Sequence, residues 1–334
     1  VGAIRSWGDM ERFSYPVIID NMMSLEILYW AARNGGDESL ADIATTHART
    51  SMRDHVREDG TTFHLVDYDQ TTGDVIWRGT VQGLADTSVW ARGQAWGLYG
   101  FSMAYRESRE PEFLVTARRL ADAFIERLPE DVIPCWDFDA ASIPGEPKDA
   151  SAAAIAASGL WDLSVLTDDV DASARYRDAS LTLVDRLASD EYSAILAGLP
   201  ALLLHSTGNM PRYSEVDVPL IYAEYYYIEA LQKQTTPPDT WSSTLRISSF
   251  PNPFAVETQI LCGLTGPGEV SLWLYDLSGR LVVALHVPGT GDGSVRLVSW
   301  DGRDAGGSAM PSGIYFARLE NGGENAFHKV VLLK

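Results

Sequence analysis

The stretch Trp90-Ala91-Arg92-Gly93-Gln94-Ala95-Trp96-Gly97 sets two indoles around one guanidinium. A buried arginine needs an anionic partner or a full set of acceptors, and flat indole faces are surfaces on which sugar rings stack. Two readings stay open from these residues alone. One is a site for an anionic carbohydrate. The other is a core helix in which Arg92 stacks on Trp96 and pairs with a structural carboxylate. Asp20 is the second chemical candidate, because it lies among apolar neighbours in Val17-Ile18-Ile19-Asp20-Asn21-Met22-Met23. A carboxylate there is costly unless it is used or is favoured by a helix N-terminus. His64 falls in a strand, where a lone histidine is more often satisfied structure than a ligand, and His205 heads a polar loop, His205-Ser206-Thr207-Gly208-Asn209. His47 and His55 read as surface or packing residues, and His286 and His328 as exposed strand residues.

These residues need elements to hold them. The Trp/Arg stretch opens a helix running to about Arg106, with Asp86, Thr87 and Ser88 as N-cap candidates and Leu98, Phe101 and Tyr105 at helical spacing. Asp20 falls in the first turn of a helix expected from Val17 through Trp30 to the stop at Gly35-Gly36. That helix is apolar almost all round and so is expected to be buried. Leu40 to Arg57 reads as an amphipathic helix with Ile43, Ala44, His47, Ala48 and Met52 on one face. Alternation from Thr61 to Arg78 predicts a β-hairpin or a long ordered excursion between helices. Further helices are expected from Pro111 to Leu128, from Ala150 to Leu163 with Asp149 as cap, from Tyr176 to Leu187 and from Val218 to Leu231. Seven helices joined by alternately short and long loops suggest an α/α toroid, with the long loops gathered at one end around a pocket, and an ordinary helical bundle is the alternative.

A second region differs in character. Residues 1–233 form the helical part and residues 234–243, which include Thr235-Thr236-Pro237-Pro238-Asp239, read as a linker. Residues 244–334 carry six or seven short alternating strands separated by Gly, Pro and Asp turns, the pattern of a small β-sandwich. Charge divides the same way. The chain has 46 acidic and 26 basic residues for a net charge of −20, and only 8 acidic and 7 basic residues lie from Ser243 onward. An acidic helical part argues against nucleic acid or an anionic membrane as partner. An anionic small ligand would need a local basic pocket, which keeps Arg92 a candidate. Cys135 and Cys262 fall in different regions, so neither a disulfide framework nor a zinc spacing follows. No apolar run is long enough to span a membrane. With Val at position 1 and no signal peptide, the chain reads as a mature form or an N-terminal truncation.

Five stretches together resemble glycoside hydrolase family 88, the unsaturated glucuronyl hydrolases. They are residues 17–23, Asp59-Gly60-Thr61-Thr62-Phe63-His64, Gln82-Gly83 with residues 86–97, Asp149-Ala150-Ser151-Ala152-Ala153-Ala154-Ile155, and Glu215-Val216-Asp217-Val218-Pro219-Leu220-Ile221-Tyr222. Rhamnogalacturonyl hydrolases of family 105 typically read Arg-Gly-Asn-Gly-Trp where this chain has Arg92-Gly93-Gln94-Ala95-Trp96, which favours family 88. The resemblance implies an (α/α)6 barrel that removes a 4,5-unsaturated uronic acid from lyase-generated oligosaccharides by hydrating the vinyl ether. It implies Asp20 as acid/base, His64, Gln82, Trp90, Arg92 and Trp96 as uronate contacts, His205 towards the leaving sugar, and no metal or organic cofactor. It also implies a second aspartate on an upstream helix, for which Asp9 has the wrong context. The first third of the barrel is therefore expected to be missing from this chain. Residues 250–254, 275–280, 300–302, 312–315 and 329–334 resemble the FlgD-like immunoglobulin-type domain that sorts proteins through type IX secretion, implying a secreted or cell-surface protein. An unsaturated rhamnogalacturonyl hydrolase, an inactive carbohydrate-binding toroid and a structural surface protein are the competing readings.

Overall fold

The computed structural model describes all residues except 9–11, 196–197, 236–244, 264–269, 288–294, 322 and 334. It separates into two compact units, Val1–Pro237 and Pro238–Lys334. In the first unit the order is β1 (Tyr15–Ile18), α1 (Asn21–Arg33), α2 (Ser39–Asp54), β2 (Leu65–Tyr68), β3 (Val75–Gly79), α3 (Ala91–Ser108), α4 (Pro111–Glu126), α5 (Ala150–Leu166) and α6 (Val170–Leu187). β4 (Ser206–Asn209), a 3-10 turn (Met210–Arg212), β5 (Ser214–Val218) and α7 (Ile221–Thr235) complete it. The odd-numbered helices are successive neighbours, α1 against α3, α3 against α5 and α5 against α7. Each even-numbered helix packs mainly on one of them: α2 on α1, α4 on α3 and α6 on α5. Among the described residues this makes a two-layered arc of helical hairpins.

Small residues let the inner helices approach closely. A Cβ on Gly159 of α5 would lie 2.9 Å from the Tyr99 Cα of α3, and one on Gly100 would lie 2.4 Å from the Met22 Cβ of α1. The Ala-rich run of α5 is buried from Ala150 through Trp161, so the helix sits at the centre of the core. Asp149 caps it as expected, accepting from the Ser151 and Ala152 amides.

Several elements differ from the expectation. Val17 and Ile18 are strand, not helix. Pro16 and two β-branched residues favour extended backbone, and β1 pairs antiparallel with β2. The helix therefore starts at Asn21, with Asp20 at its N-cap position and no side-chain cap bond. Nor is this helix buried all round: Ile27 is 62% and Trp30 50% exposed, because among the described residues no element packs on that face. On α2 the buried face is rotated from the one expected. His47 lies on it, fully buried, while Ile43 is exposed. α3 has Trp90, not a hydroxyl or acid, at its N-cap. Ser88 instead donates to Asp137, and Arg57 gathers the carbonyls of Asp86, Thr87 and Ser88. The polar loop at His205 is the start of a hairpin, β4 with β5, so Val218 ends a strand and α7 begins at Ile221.

The second unit contains β6 (Arg246–Phe250), β7 (Thr258–Gly263), β8 (Val270–Tyr275), β9 (Leu281–Leu285), β10 (Val295–Trp300), β11 (Gly313–Asn321) and β12 (Glu324–Leu332). They form two antiparallel sheets, ordered β10-β7-β6 and β12-β11-β8-β9, around one core that includes Trp300, Tyr315, Leu272 and Ile260. Every strand expected from the alternation is present. His328 is half-buried rather than exposed and lies 3.0 Å from the Ser249 hydroxyl. Of the expected linker, Gln234 and Thr235 belong to α7, and residues 236–243 lie outside the described residues.

Candidate active site

The site is assembled where β1 hands over to α1. β1 pairs with β2 in the register Ile18 with Leu65, and the Ile19 amide donates to the His64 carbonyl at 2.9 Å. His55, at the end of α2, holds the Val17 carbonyl from behind at 3.0 Å. The pairing therefore sets Asp20 opposite His64. His64 Nε2 lies 3.8 Å from Asp20 Oδ2. Both atoms are buried and neither has a hydrogen-bond partner. Two polar atoms facing one another across such a gap are costly in a core.

Their protonation follows from their neighbours. His64 Nδ1 accepts from the Val81 and Gln82 amides at 3.2 and 3.3 Å, which puts the ring proton on Nε2, the nitrogen facing Asp20. Burial, reinforced by the Arg92 charge and by His55, pushes the imidazole down to about 3, so it is neutral near pH 7. Burial has the opposite effect on Asp20. Desolvation raises its carboxyl to about 6, against the lowering pull of Arg92, a backbone amide and the Trp96 indole. An aspartate poised there exchanges protons readily near neutrality.

A cavity of about 400 Å³ opens beside Asp20, and His64 is not among the residues that line it. Its walls include Asp20, Gln82, Arg92 and Trp96 of the residues singled out in the sequence, joined by Met23, Tyr222 and the hairpin residues Gly208, Asn209, Arg212, Ser214 and Glu215. Arg92 is buried and its donors are largely committed. Nη1 donates to Asp149 at 2.8 Å and to the Thr207 carbonyl, and Nη2 donates to Gln82 at 3.1 Å and to the Gly208 carbonyl. Its cation lies 4.5 Å from the Trp90 ring and 5.5 Å from that of Tyr222, so it stacks on these and not on Trp96. Trp90 is packed between Arg92 and His64, whose ring is 4.5 Å away, and supports the wall from behind. Trp96 meets Tyr226 edge-on. His205 does not line the cavity; it pairs with Asp217 at 2.5 Å and touches Tyr192.

By sequence Asp149 reads as a helix cap and residues 205–209 as a polar loop, whereas the structure makes Asp149 the partner of Arg92 and residues 206–209 the first strand of a hairpin. One signal was available: the short alternation Glu215-Val216-Asp217-Val218 is strand-like. The hairpin is also strained, with φ of 59° at His205, 50° at Tyr213, 54° at Glu215 and 58° at Asp217. Such backbone costs on the order of 1 kcal/mol per residue and concentrates at functional sites. Among the described residues no group of three or more His, Cys, Asp and Glu could hold a metal ion, and no helix is long and apolar enough to cross a membrane.

No family model matches the chain. Individual proteins do. An unsaturated glucuronyl hydrolase of Formosa agariphila is 40% identical over 239 residues, which is 70% of this chain and 58% of that protein. Over that stretch this chain is homologous to the unsaturated glucuronyl hydrolases. An unsaturated chondroitin disaccharide hydrolase of Streptococcus agalactiae is 35% identical over 234 residues, 69% of this chain and 58% of that protein. Among solved structures, an unsaturated glucuronyl hydrolase specific for heparin is 44% identical with a TM-score of 0.65, covering 70% of this chain and 62% of that one. The enzyme of Bacillus sp. GL1, described as responsible for the degradation of glycosaminoglycan, is 34% identical with a TM-score of 0.67, covering 70% of this chain and 63% of that one. The chain thus spans about three fifths of the length of the relatives it matches.

Proposed function

We propose that the protein to which this chain belongs removes the 4,5-unsaturated uronic acid from the non-reducing end of lyase-generated oligosaccharides. The observation that carries the proposal is Asp20 in the cavity wall, its carboxyl raised to about 6 and its Oδ2 facing the neutral, fully buried His64 Nε2–H. In this reading protonated Asp20 delivers its proton to C4, and the C4=C5 electron pair forms the new C–H bond. Positive charge develops at C5 and the ring oxygen. The Asp20 carboxylate then accepts a proton from water as its oxygen bonds to C5. The resulting hemiketal opens by breaking the bond from C5 to the ring oxygen, leaving a ketone at C5 and a hemiacetal at C1 that expels the aglycone as an alcohol. One group gives and takes a proton, which is the task its position near neutrality suits. His64 Nε2–H stands as a donor beside the carboxylate, and Arg92 offsets negative charge in the cavity wall.

The uronate specificity rests on the relatives. Structures of two of them, each 34% identical to this chain, are described as holding unsaturated glucuronyl saccharides, one with a 6-sulfated N-acetylgalactosamine and one with a glucose-rhamnose-glucose chain. In the same reading the helical arc is part of an (α/α)6 barrel. The second unit is an immunoglobulin-type module of the FlgD-like class that directs the protein to the type IX secretion machinery, and so to the cell surface or medium. Its two-sheet sandwich and its sequence resemblance support that part.

The test is loss of the unsaturated-uronate absorbance with the full-length protein on unsaturated chondroitin, hyaluronan and heparin disaccharides, beside its Asp20→Asn form. Turnover in the parent and none in the variant is expected. Turnover confined to unsaturated rhamnogalacturonan disaccharides would move the assignment to that class, and binding without turnover of any of them would refute it. Deleting residues 238–334 in the native host and following the protein to the cell surface tests the sorting module.

A further inference from the structure

Asp149 does not line the cavity, yet it holds together three of the elements that build it. Its carboxylate is fully buried. Oδ1 accepts from the Ser151 hydroxyl and amide, the Ala152 amide at 3.4 Å and the Thr207 amide at 3.4 Å. Oδ2 accepts from Arg92 at 2.8 Å. One side chain thus joins the N-terminus of α5, the guanidinium of α3 and the strand β4. Arg92 repeats the connection by donating to the Thr207 and Gly208 carbonyls. The next residues along, Asn209, Arg212, Ser214 and Glu215, form the hairpin side of the cavity.

We propose that Asp149 is a positioning residue for the reaction at Asp20: it fixes the Arg92 guanidinium, sets how much of that cation's charge Asp20 feels, and anchors the strained β4–β5 hairpin as a cavity wall. A helix cap alone would need only the bonds from residues 151 and 152. The additional bonds to Arg92 and Thr207 reach 57 and 58 residues away along the chain. The groups around Asp20 are Arg92 and Trp96 from α3, His64 from the turn before β2, Tyr222 from α7, and Arg212 and Glu215 from the hairpin. His64 is neutral, so the balance at Asp20 lies mainly between burial and the nearby arginine charge. A buried Arg92 stripped of its carboxylate partner presents its whole charge, and the ionised form of Asp20 gains.

This inference rests on the proposed hydration reaction for its catalytic meaning, and its test has a part that does not. The first readout is the titration of Asp20 in the full-length protein labelled with 13C at aspartate carboxyls, its resonance assigned by its absence in Asp20→Asn. In Asp149→Asn the Asp20 midpoint moves down by roughly 1 pH unit. In Ser151→Ala, which removes one bond to the same carboxylate and keeps the charge, the midpoint stays. The second readout is kinetic: Asp149→Asn and Asp149→Glu each raise KM by about tenfold as the hairpin loosens, and the alkaline limb of the rate profile, set by loss of the Asp20 proton, moves only in Asp149→Asn. A folded Asp149→Asn protein whose Asp20 midpoint is unmoved overturns the proposal. If Asp149→Asn does not fold, Asp149→Glu decides, since it retains the charge and displaces the carboxylate; an unchanged KM there also overturns it. Should the parent hydrate none of the disaccharides while the midpoint still moves in Asp149→Asn, the assigned reaction fails and the positional role of Asp149 stands.

Discussion

Replacing Asp20 by Asn removes a carboxyl that the fold holds at a cost. In an unfolded chain it ionises near 3.8, and in the native protein desolvation raises it to about 6. A raised carboxyl means that the native state binds the proton more tightly than the unfolded state. Its contribution to stability is therefore present at low pH and is lost as pH rises from about 3.8 to about 6, leaving a constant penalty above. The full penalty is about 3 kcal/mol, the free energy of a shift of roughly two units. Between pH 4.5 and pH 8 the change amounts to about 2 kcal/mol. His47 and His64, lowered to about 3, and His55, lowered to about 4, work the other way, destabilising the native state as pH falls below their ordinary range. They are present in both proteins, so they cancel in the difference. The measurement is the melting temperature of the helical unit, parent against Asp20→Asn, at a series of pH values from 4.5 to 8. The variant gains on the parent by about 4–8 °C across that range, the shift that about 2 kcal/mol produces in a unit of this size. Any pH-independent effect of the amide drops out. Parallel curves would refute the argument, because they would mean that Asp20 ionises in the native protein as it does in water.

Other outcomes follow from the same geometry. Arg92→Met leaves Asp149 buried without its cation and lowers the stability of the helical unit by about 3–5 kcal/mol, measured by urea unfolding, whereas a change near zero would show the pair to be dispensable. Gly159→Ala puts a methyl 2.9 Å from the Tyr99 Cα and costs about 1–3 kcal/mol by the same measurement as α3 and α5 are forced apart. His64 stays neutral with its proton on Nε2 down to pH 5, which its ring 15N shifts report; a protonated ring at pH 6 would contradict its burial. Cys135 and Cys262 are buried with thiols pushed up by desolvation, so neither reacts with a thiol reagent until its unit unfolds.

The periodicities in the sequence determined where most helices and all the expected strands lie. The change from a 3.6-residue to a two-residue period marked the passage to the second region before any contact was known. Local chemistry also determined the cap at Asp149 and the importance of Asp20 and Arg92, because a charged group among apolar neighbours is costly wherever it is placed. Other features depended on pairing at long range. Val17 and Ile18 continue an apolar run that suits a helix equally well, and only β2 alongside makes them strand. That same pairing sets His64 opposite Asp20, a proximity between residues 44 apart that no local pattern encodes. Arg92 shows the limit from the other side. Its sequence context allowed either a substrate contact or a structural ion pair, and the fold supplied Asp149, two carbonyls and Gln82 as partners while keeping the residue in the cavity wall. The exposure of Ile27 and Trp30 was equally illegible, since burial depends on what packs against a face and not on the face itself. Spacing fixes which side chains share a surface; only tertiary contacts decide what each surface meets, and at this site that difference separates a structural arginine from one that shapes the chemistry of a neighbouring acid.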